Sequence, residues 1–550
     1  MSIDLSNSFG LDLLVLIVAM SISMALIPLL IRYASALGMM DEPDPRKVHA
    51  VPVPRVGGVG IVAGALLAMF FWLPWNDVML SYLAGSVILL VFGVWDDVRE
   101  LGHYVKFVGQ FLAVSLVVFH GNLYVTHLPF MGLELGDTFG RIFTIIAMVG
   151  VVNAINHSDG LDGLAGGESL LSLGGIAYLA YQSGDPLVVL IAFAVIGGVF
   201  GFLRFNSHPA RVFMGDGGSQ FLGFTLAFLV VYLVEVSNTA LSRALPALLL
   251  GLPVIDIISV FVQRIHGGMN WFKATKNHIH HRLLELGFHH YESVMAIYSL
   301  QVLMVLLAVV MPYESDALIL GCYLSISIIL FSLLWLAERS GWKVHATGGT
   351  GGFIARAAHA FRADGHLMAA DRQFVKVLLS AFVLFAAVFA KKVPTDLSMV
   401  SLALFVLLLV RLWLGYRVWF LFMRLGLFVS VALMSYVMSV SPPGILADAP
   451  PIGYLFFGVL FLTVVLAVRY SREEFFQVTP LDYLVVLIVL LLALMSEMGY
   501  ADISSLALVL QLIVLFYGVE ITIKYMANRW NMFTVSLLMS LAILSIRGTL

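Results

Sequence analysis

Apolar runs long enough to cross a bilayer recur along almost the whole of this chain, and no other feature narrows its folding choices as far. Residues 13–31, LLVLIVAMSISMALIPLLI, are one example. In hydrocarbon every backbone N–H and C=O must find its partner within the protein, which leaves helices or a closed barrel. Barrel strands alternate apolar and polar residues, and these runs do not. The fold class is therefore all-α, a polytopic transmembrane helical bundle. Composition agrees, with 61% hydrophobic and 11% charged residues against about 25% charged in soluble domains. The formal net charge of −3 supplies no basic field for nucleic acid. Cys322 is the only cysteine, so neither an intrachain disulfide nor a thiolate metal site can form. The N-terminal MSIDLSNSFG lacks the basic region of a signal peptide, and the first helix is expected to be retained.

Hydropathy predicts spans at 11–33, 57–74, 78–95, 105–120, 140–156, 168–182, 186–203, 217–235, 243–262, 293–311 and 316–337, about eleven crossings of bilayer length. Residues 1–340 form the expected membrane core. Residues 341–374 read as a cytoplasmic linker, whose GGTGG is too short for a nucleotide loop. Residues 375–550 hold roughly seven further apolar runs with no cluster of acids, histidines or glycines. Lys and Arg gather in alternate gaps, at Arg46, Lys47, Arg55, Arg99, Lys106, Arg204, Arg211, Arg264 and Arg282, while the opposite gaps hold little beyond Arg141 and Arg243. By the positive-inside rule the N-terminus lies outside and the charged loops face the cytoplasm.

Those loops concentrate the polar chemistry. NAINHSDGLDGLAGG (153–167) follows an apolar run and carries Asn153, Asn156, Asp159 and Asp162 among flexible glycines. Polar groups at a membrane exit are costly unless paired or hydrated, so such density marks a functional site. RKVHAVPVPRVGG (46–58) combines Lys47, His49 and Arg55 with stiff prolines, as a rigid anion-binding loop would. In WDDVRE (95–100) the adjacent Asp96 and Asp97 suit a divalent metal or a base, or simply a solvated helix end, and Lys106 and Gln110 lie close enough in sequence to balance them. In FNSHPARVFMGDGGS (205–219), Asp216 opens a helix between glycines, either as a cap favoured by the dipole or beside a metal-bound phosphate, with Phe213 as a platform for a base and Asn206 upstream. NHIHHR (277–282) offers His278, His280, His281 and Arg282. The spacing is not that of a zincin helix, and a diphosphate clamp is the better reading than zinc. Together these groups make the inventory of a magnesium-dependent reaction at a diphosphate.

Five stretches, KVHAVPVPRVGG, the Asp96–Asp97 pair, NAINHSDGLDGLAGG, FNSHPARVFMGDGGS and HIHHR, resemble in order the polyprenyl-phosphate N-acetylhexosamine-1-phosphate transferases. The resemblance covers residues about 10–337. It implies a Mg²⁺-dependent enzyme (Mn²⁺ as substitute) of the bacterial inner membrane, with its active site on the cytoplasmic side. It implies transfer of a sugar-1-phosphate from a UDP-sugar to undecaprenyl phosphate, releasing UMP. Asp216 would bind the metal with Asn156 as second ligand, and Phe213 would stack on uracil. Asp162 and Asn206 would help hold the uridine, and the Asp96–Asp97 pair would serve the lipid phosphate. The HIHHR loop would contact diphosphate and sugar. Asp96, Asp97, Asp159 and Asp216 are the expected catalytic carboxylates, and Lys47, His49, Arg55, Lys106, Asn153, Asp162, Asn206, Phe213, His278, His280, His281 and Arg282 the expected substrate contacts. His157–Ser158 depart from the family's more usual apolar pair. The GlcNAc-type branch fits better than phospho-MurNAc-pentapeptide transferase. A secondary transporter is the rival from another class, and would place its acids near mid-span rather than at span ends. The C-terminal spans lie outside the resemblance and are candidates for homodimerisation or for docking partners of glycan assembly.

Overall fold

The computed structural model describes residues 8–43, 51–70, 72–99, 101–129, 133–268 and 277–344 of the first part. In the second part it describes 365–390, 393, 395–410, 426–435, 437–438, 450–469, 484–485, 488, 503–524 and 532–548. Lys47 and His49, and most of the expected linker, lie outside these residues. The chain divides into two compact units, one of Met1–Thr347 with Thr479–Ile488, the other of Gly348–Val478 with Val489–Leu550.

The first unit is helical almost throughout: α1 (Ser8–Tyr33), α2 (Gly57–Met69), α3 (Asp77–Arg99), α4 (His103–Ser115), α5 (Asp137–Ser158), α6 (Leu164–Gln182), α7 (Pro186–Asn206), α8 (Asp216–Tyr232), α9 (Leu245–Leu249), α10 (Gly251–His266), α11 (Ile279–Glu285), α12 (His290–Val310) and α13 (Asp316–Ser340). Helices α4 and α8 widen into π turns over Leu116–His120 and Leu233–Ser237. Among the described residues, eight helices are long and apolar enough to span a membrane. Three of the expected spans differ, each for a local reason. Helix α2 has 13 residues. Helix α6 is diluted by glycine and serine, and is buried along most of its length against α7 and α12 instead of facing lipid. The ninth span breaks at Leu250 into α9 and α10.

Local chemistry sets the ends. Asp185 caps α7, its carboxylate accepting from Leu187 N at 2.9 Å and Val188 N at 3.2 Å, with Pro186 at the first turn, where no N–H is missed. Small residues set the spacing inside. A Cβ on Gly93 of α3 would lie 2.3 Å from Gly217 Cα, and one on Gly58 would lie 2.2 Å from Gly218 N. Helices α2 and α3 thus approach the start of α8 at backbone distance, and their polar ends converge there.

In the second unit, helix Gly365–Phe389 begins inside the stretch expected as linker. It packs on Met532–Arg547, which also packs on Thr395–Val410. The Arg547 guanidinium donates to the carbonyls of Ala387 and Ala390, at 2.8 and 2.5 Å, satisfying acceptors that a helix C-terminus leaves unpaired.

Candidate active site

Strands β1 (Met40–Asp41) and β2 (Val53–Pro54) pair antiparallel, Met40 opposite Pro54. Arg55 is ion-paired to Asp41 across this ribbon. Beyond it the backbone is tied to the FMGD stretch: Phe213 N donates to Pro54 O at 2.8 Å, Gly57 N to Phe213 O at 2.9 Å, and Gly58 N to Met214 O at 2.7 Å. The PRVGG segment therefore acts as a brace for the turn that presents Asp216. The Arg55 guanidinium holds the ribbon, a different task from the anion contact expected of it.

Gly215, at φ +73°, makes the left-handed turn that places Asp216 at the head of α8. The Asp216 N–H donates to Asp97 Oδ1 at 3.1 Å. The Lys106 ammonium stands 2.7 Å from both Asp96 Oδ2 and Asp216 Oδ2, so one cation joins the end of α3 to the head of α8. Asp96 Oδ1 is buried with no hydrogen-bond partner. Asn156 Nδ2 donates to Ser219 Oγ at 2.8 Å and to Asp216 Oδ1 at 3.3 Å. In this state Asn156 orients the carboxylate through its amide nitrogen. Asn153 lies further back. It donates to Gln110 Oε1 at 2.7 Å, Gln110 donates to Gln220 at 3.4 Å, and Gln220 to Asp216 Oδ2 at 3.4 Å. These amides steady Asp216 from behind.

Helix α5 ends at Ser158, and Asp159 follows. Among the described residues its side chain makes no hydrogen bond. Burial, then the charges of Asp216 and Asp162, push its carboxyl up to about 7. Asp162 Oδ2 accepts from Ala210 N at 3.0 Å and lies 2.7 Å from His208 Nδ1. The Asp162 N–H donates to His290 Nε2 at 3.1 Å, and the His208 and His290 rings stack at 4.1 Å. Asn206 is buried; its oxygen accepts from Gly163 N at 2.8 Å and its nitrogen donates to Val212 O at 2.9 Å. Both ends of its amide therefore join two loops. Phe213 is half-buried beside Asp216 in sequence.

The histidine motif forms the opposite wall. His278 Nδ1 lies 2.7 Å from Asp256 Oδ2, and Ile279 N donates to the other carboxylate oxygen at 2.8 Å. Asp256 thereby fixes the start of α11. The His280 ring covers Gly160, where a Cβ would lie 2.2 Å from Nε2. Burial and the adjacent His281, His278 and His290 hold His280 well below the usual imidazole range, hence neutral. The His281 ring is 4.2 Å from that of His280. Arg282 makes a two-pronged pair with Glu338 of α13 at 2.6 and 2.9 Å. That turns its guanidinium to a structural pairing.

The structure thus gathers Asp96, Asp97, Lys106, Asn156, Asp159 and Asp216 and sets Asn153, Asn206, Arg55 and Arg282 in support. Gln220, Asp256, His208 and His290 were not singled out from sequence. Asp256 had a usable signal, an ionisable residue inside an apolar run. His208 and His290 did not, since their partner Asp162 is far away in the chain.

The family model described as glycosyl transferase family 4 matches residues 79–234, which include both ends of the Asp96–Lys106–Asp216 array. A Bacillus subtilis (strain 168) protein named "Probable undecaprenyl-phosphate N-acetylglucosaminyl 1-phosphate transferase" is 34% identical over 333 residues, covering 59% of this chain and 91% of the relative. The Haemophilus influenzae undecaprenyl-phosphate alpha-N-acetylglucosaminyl 1-phosphate transferase is 32% identical, covering 46% of this chain and 74% of its own length. The Mycobacterium leprae decaprenyl-phosphate N-acetylglucosaminephosphotransferase is also 32% identical, covering 48% and 75%.

Proposed function

The chain belongs to glycosyl transferase family 4, and on that premise we propose that it transfers N-acetylglucosamine 1-phosphate from a UDP-linked donor to undecaprenyl phosphate at the cytoplasmic face of a bacterial inner membrane. One observation carries the reading. A lysine bridges Asp96 and Asp216 at the converging ends of α3 and α8, beside further carboxylates and a wall of histidines. Such an array suits two phosphorylated substrates meeting at a membrane surface.

In the proposed reaction an oxygen of the lipid phosphate attacks the donor's β-phosphorus. The bond from that phosphorus to the bridging oxygen breaks, and UMP departs with that oxygen. The Lys106 ammonium attracts the incoming phosphate and offsets charge developing between Asp96 and Asp216. Asp97 holds the Asp216 backbone N–H and thereby the head of α8. The donor atoms fit a hard cation: they are carboxylate and amide oxygens, with one buried Asp96 oxygen unpartnered. Asp216 and Asn156, the latter through its carbonyl oxygen, would hold Mg²⁺, with Asp159 close by, and Mn²⁺ can replace it. The ion would supply Lewis-acid charge to phosphoryl oxygens. The acids sit at helix ends, and this disfavours the transporter reading, which needs them at mid-span.

The test is UMP release by the purified full chain with undecaprenyl phosphate, Mg²⁺ and a panel of UDP-sugars. Release with UDP-GlcNAc that requires lipid and metal, and is lost in Asp216→Ala, supports the reading. Equal release in the variant would refute the assignment of the site.

A further inference from the structure

Helix α11 has seven residues, too few for a helix to hold its shape alone. Its N-terminal end is fixed by Asp256 through His278 and Ile279. Its C-terminal end is fixed from another direction, by the chain that leaves α13. Gly341, at φ +66°, ends α13 in the left-handed conformation. The Gly341 N–H donates to Glu338 O at 3.2 Å and the Trp342 N–H to Ala337 O at 3.1 Å, the paired bonds that reverse a chain after a helix. The reversed segment meets the turn between α11 and α12. Lys343 Nζ donates to Glu285 O at 2.9 Å, and Val344 N to Leu286 O at 3.1 Å. The Trp342 ring meets that of Phe288 edge-on at 6.3 Å. Within the last turn of α13, Glu338 receives both prongs of Arg282. Glu338, Trp342 and Lys343 are exposed, so these ties add little to the apolar core. What they hold is the α11–α12 turn, and both of its arms reach one loop. The His280 ring covers Gly160, and His290 Nε2 accepts from the Asp162 N–H.

We propose that Glu338, Trp342 and Lys343 are positioning residues for the transferase reaction. Residues 338–344 act as a strap on the α11–α12 turn, and so hold His280 and His290 against the loop of Asp159 and Asp162. The inference rests on the transferase reading above and adds to it the segment that sets the histidine wall. None of the three strap residues needs to meet substrate. With the strap closed, α11 is anchored at both ends and its histidines stand preorganised over the carboxylate loop. With it open, only the Asp256 anchor remains. A misplacement of about 1 Å at reacting groups is enough to cost about 10²-fold in rate. Phe213 and the head of α8 are held by the PRVGG brace, outside the strap's reach, so KM depends on the strap less than kcat does.

The experiment compares wild type, Gly341→Pro and Gly341→Asn in the full chain, reading hydrogen exchange of the α11 amides and kcat and KM for UMP release from UDP-GlcNAc. A Cβ on Gly341 would meet no atom within 4 Å, so either side chain has room. Proline fixes φ near about −65° and removes the N–H given to Glu338 O, which undoes the reversal. Asparagine tolerates the left-handed conformation and keeps it. Gly341→Pro should quicken α11 exchange and lower kcat, each by about tenfold or more, with KM changed by less than about threefold. Gly341→Asn should stay within about twofold of wild type on every reading. Glu338→Gln and Arg282→Gln should lower kcat by equal factors, and together by no more than either alone, because the pair acts as one unit. Unchanged α11 exchange in Gly341→Pro would overturn the strap. Quickened exchange with unchanged kcat, or losses that multiply in the double variant, would overturn its positioning role. A wild-type chain that turns over no UDP-sugar would overturn the transferase reading, while α11 exchange that still quickens in Gly341→Pro would keep the strap itself.

Discussion

Lys106 is the residue on which the site's charge balance turns. It stands within 2.7 Å of two carboxylates from different helices. Replacing it with methionine keeps the bulk of the stem but removes the charge that faces the phosphates. We expect kcat/KM to fall by about 10²–10³, as when one preorganised electrostatic donor is lost; steady-state UMP release measures this, and a fall of less than about threefold would contradict the role. Asp159 gives a pH signature. Its carboxyl titrates near 7 in the folded chain against 3.8 ordinarily. Between those values the native state holds a proton that the unfolded chain has lost, so its contribution to stability is largest at low pH and disappears as pH rises through about 7. The metal-free wild type should therefore lose Tm relative to Asp159→Asn between pH 5 and 8. A constant difference in thermal melts across that range would contradict it.

At the scale of elements, the close approach of α3 to α8 holds Asp96 and Asp97 against Asp216. Gly93→Ala would place a methyl 2.3 Å from Gly217 Cα, where backbone cannot yield cheaply. A destabilisation of about 1–3 kcal/mol is expected, with loss of UMP release; a variant with unchanged Tm and activity would show that the contact does not set the site. Much of this was legible in the chain. The apolar runs specify helices, and acids, amides and glycines at their ends specify a polar site. The brace from PRVGG to FMGD was not legible, because its hydrogen bonds are backbone to backbone and leave no residue-type signature. The Arg282–Glu338 pair was hidden for another reason: a guanidinium suits a phosphate and a carboxylate equally, and only the fold brings Glu338 near. The broken ninth span also escaped, since hydropathy averages over a kink at Leu250.

At the scale of the molecule, the residues of the array all belong to the first unit. The Bacillus subtilis relative, 91% of whose length is matched, covers only 59% of this chain. We propose that the second unit serves assembly, as a homodimer contact or a dock for later glycan enzymes, and not the chemical step. A chain ending after Thr347 should retain UMP release in detergent while losing glycan assembly in cells. Loss of release in a truncated chain that still binds UDP would assign the second unit to catalysis instead. The central claim is that phosphorus moves with the sugar, and a donor labelled at the β-phosphorus tests it most directly. With β-³²P UDP-GlcNAc, undecaprenyl phosphate and Mg²⁺, the label should appear in the lipid fraction while unlabelled UMP is released. Label that remains in released UDP, with the sugar alone on the lipid, would contradict the account.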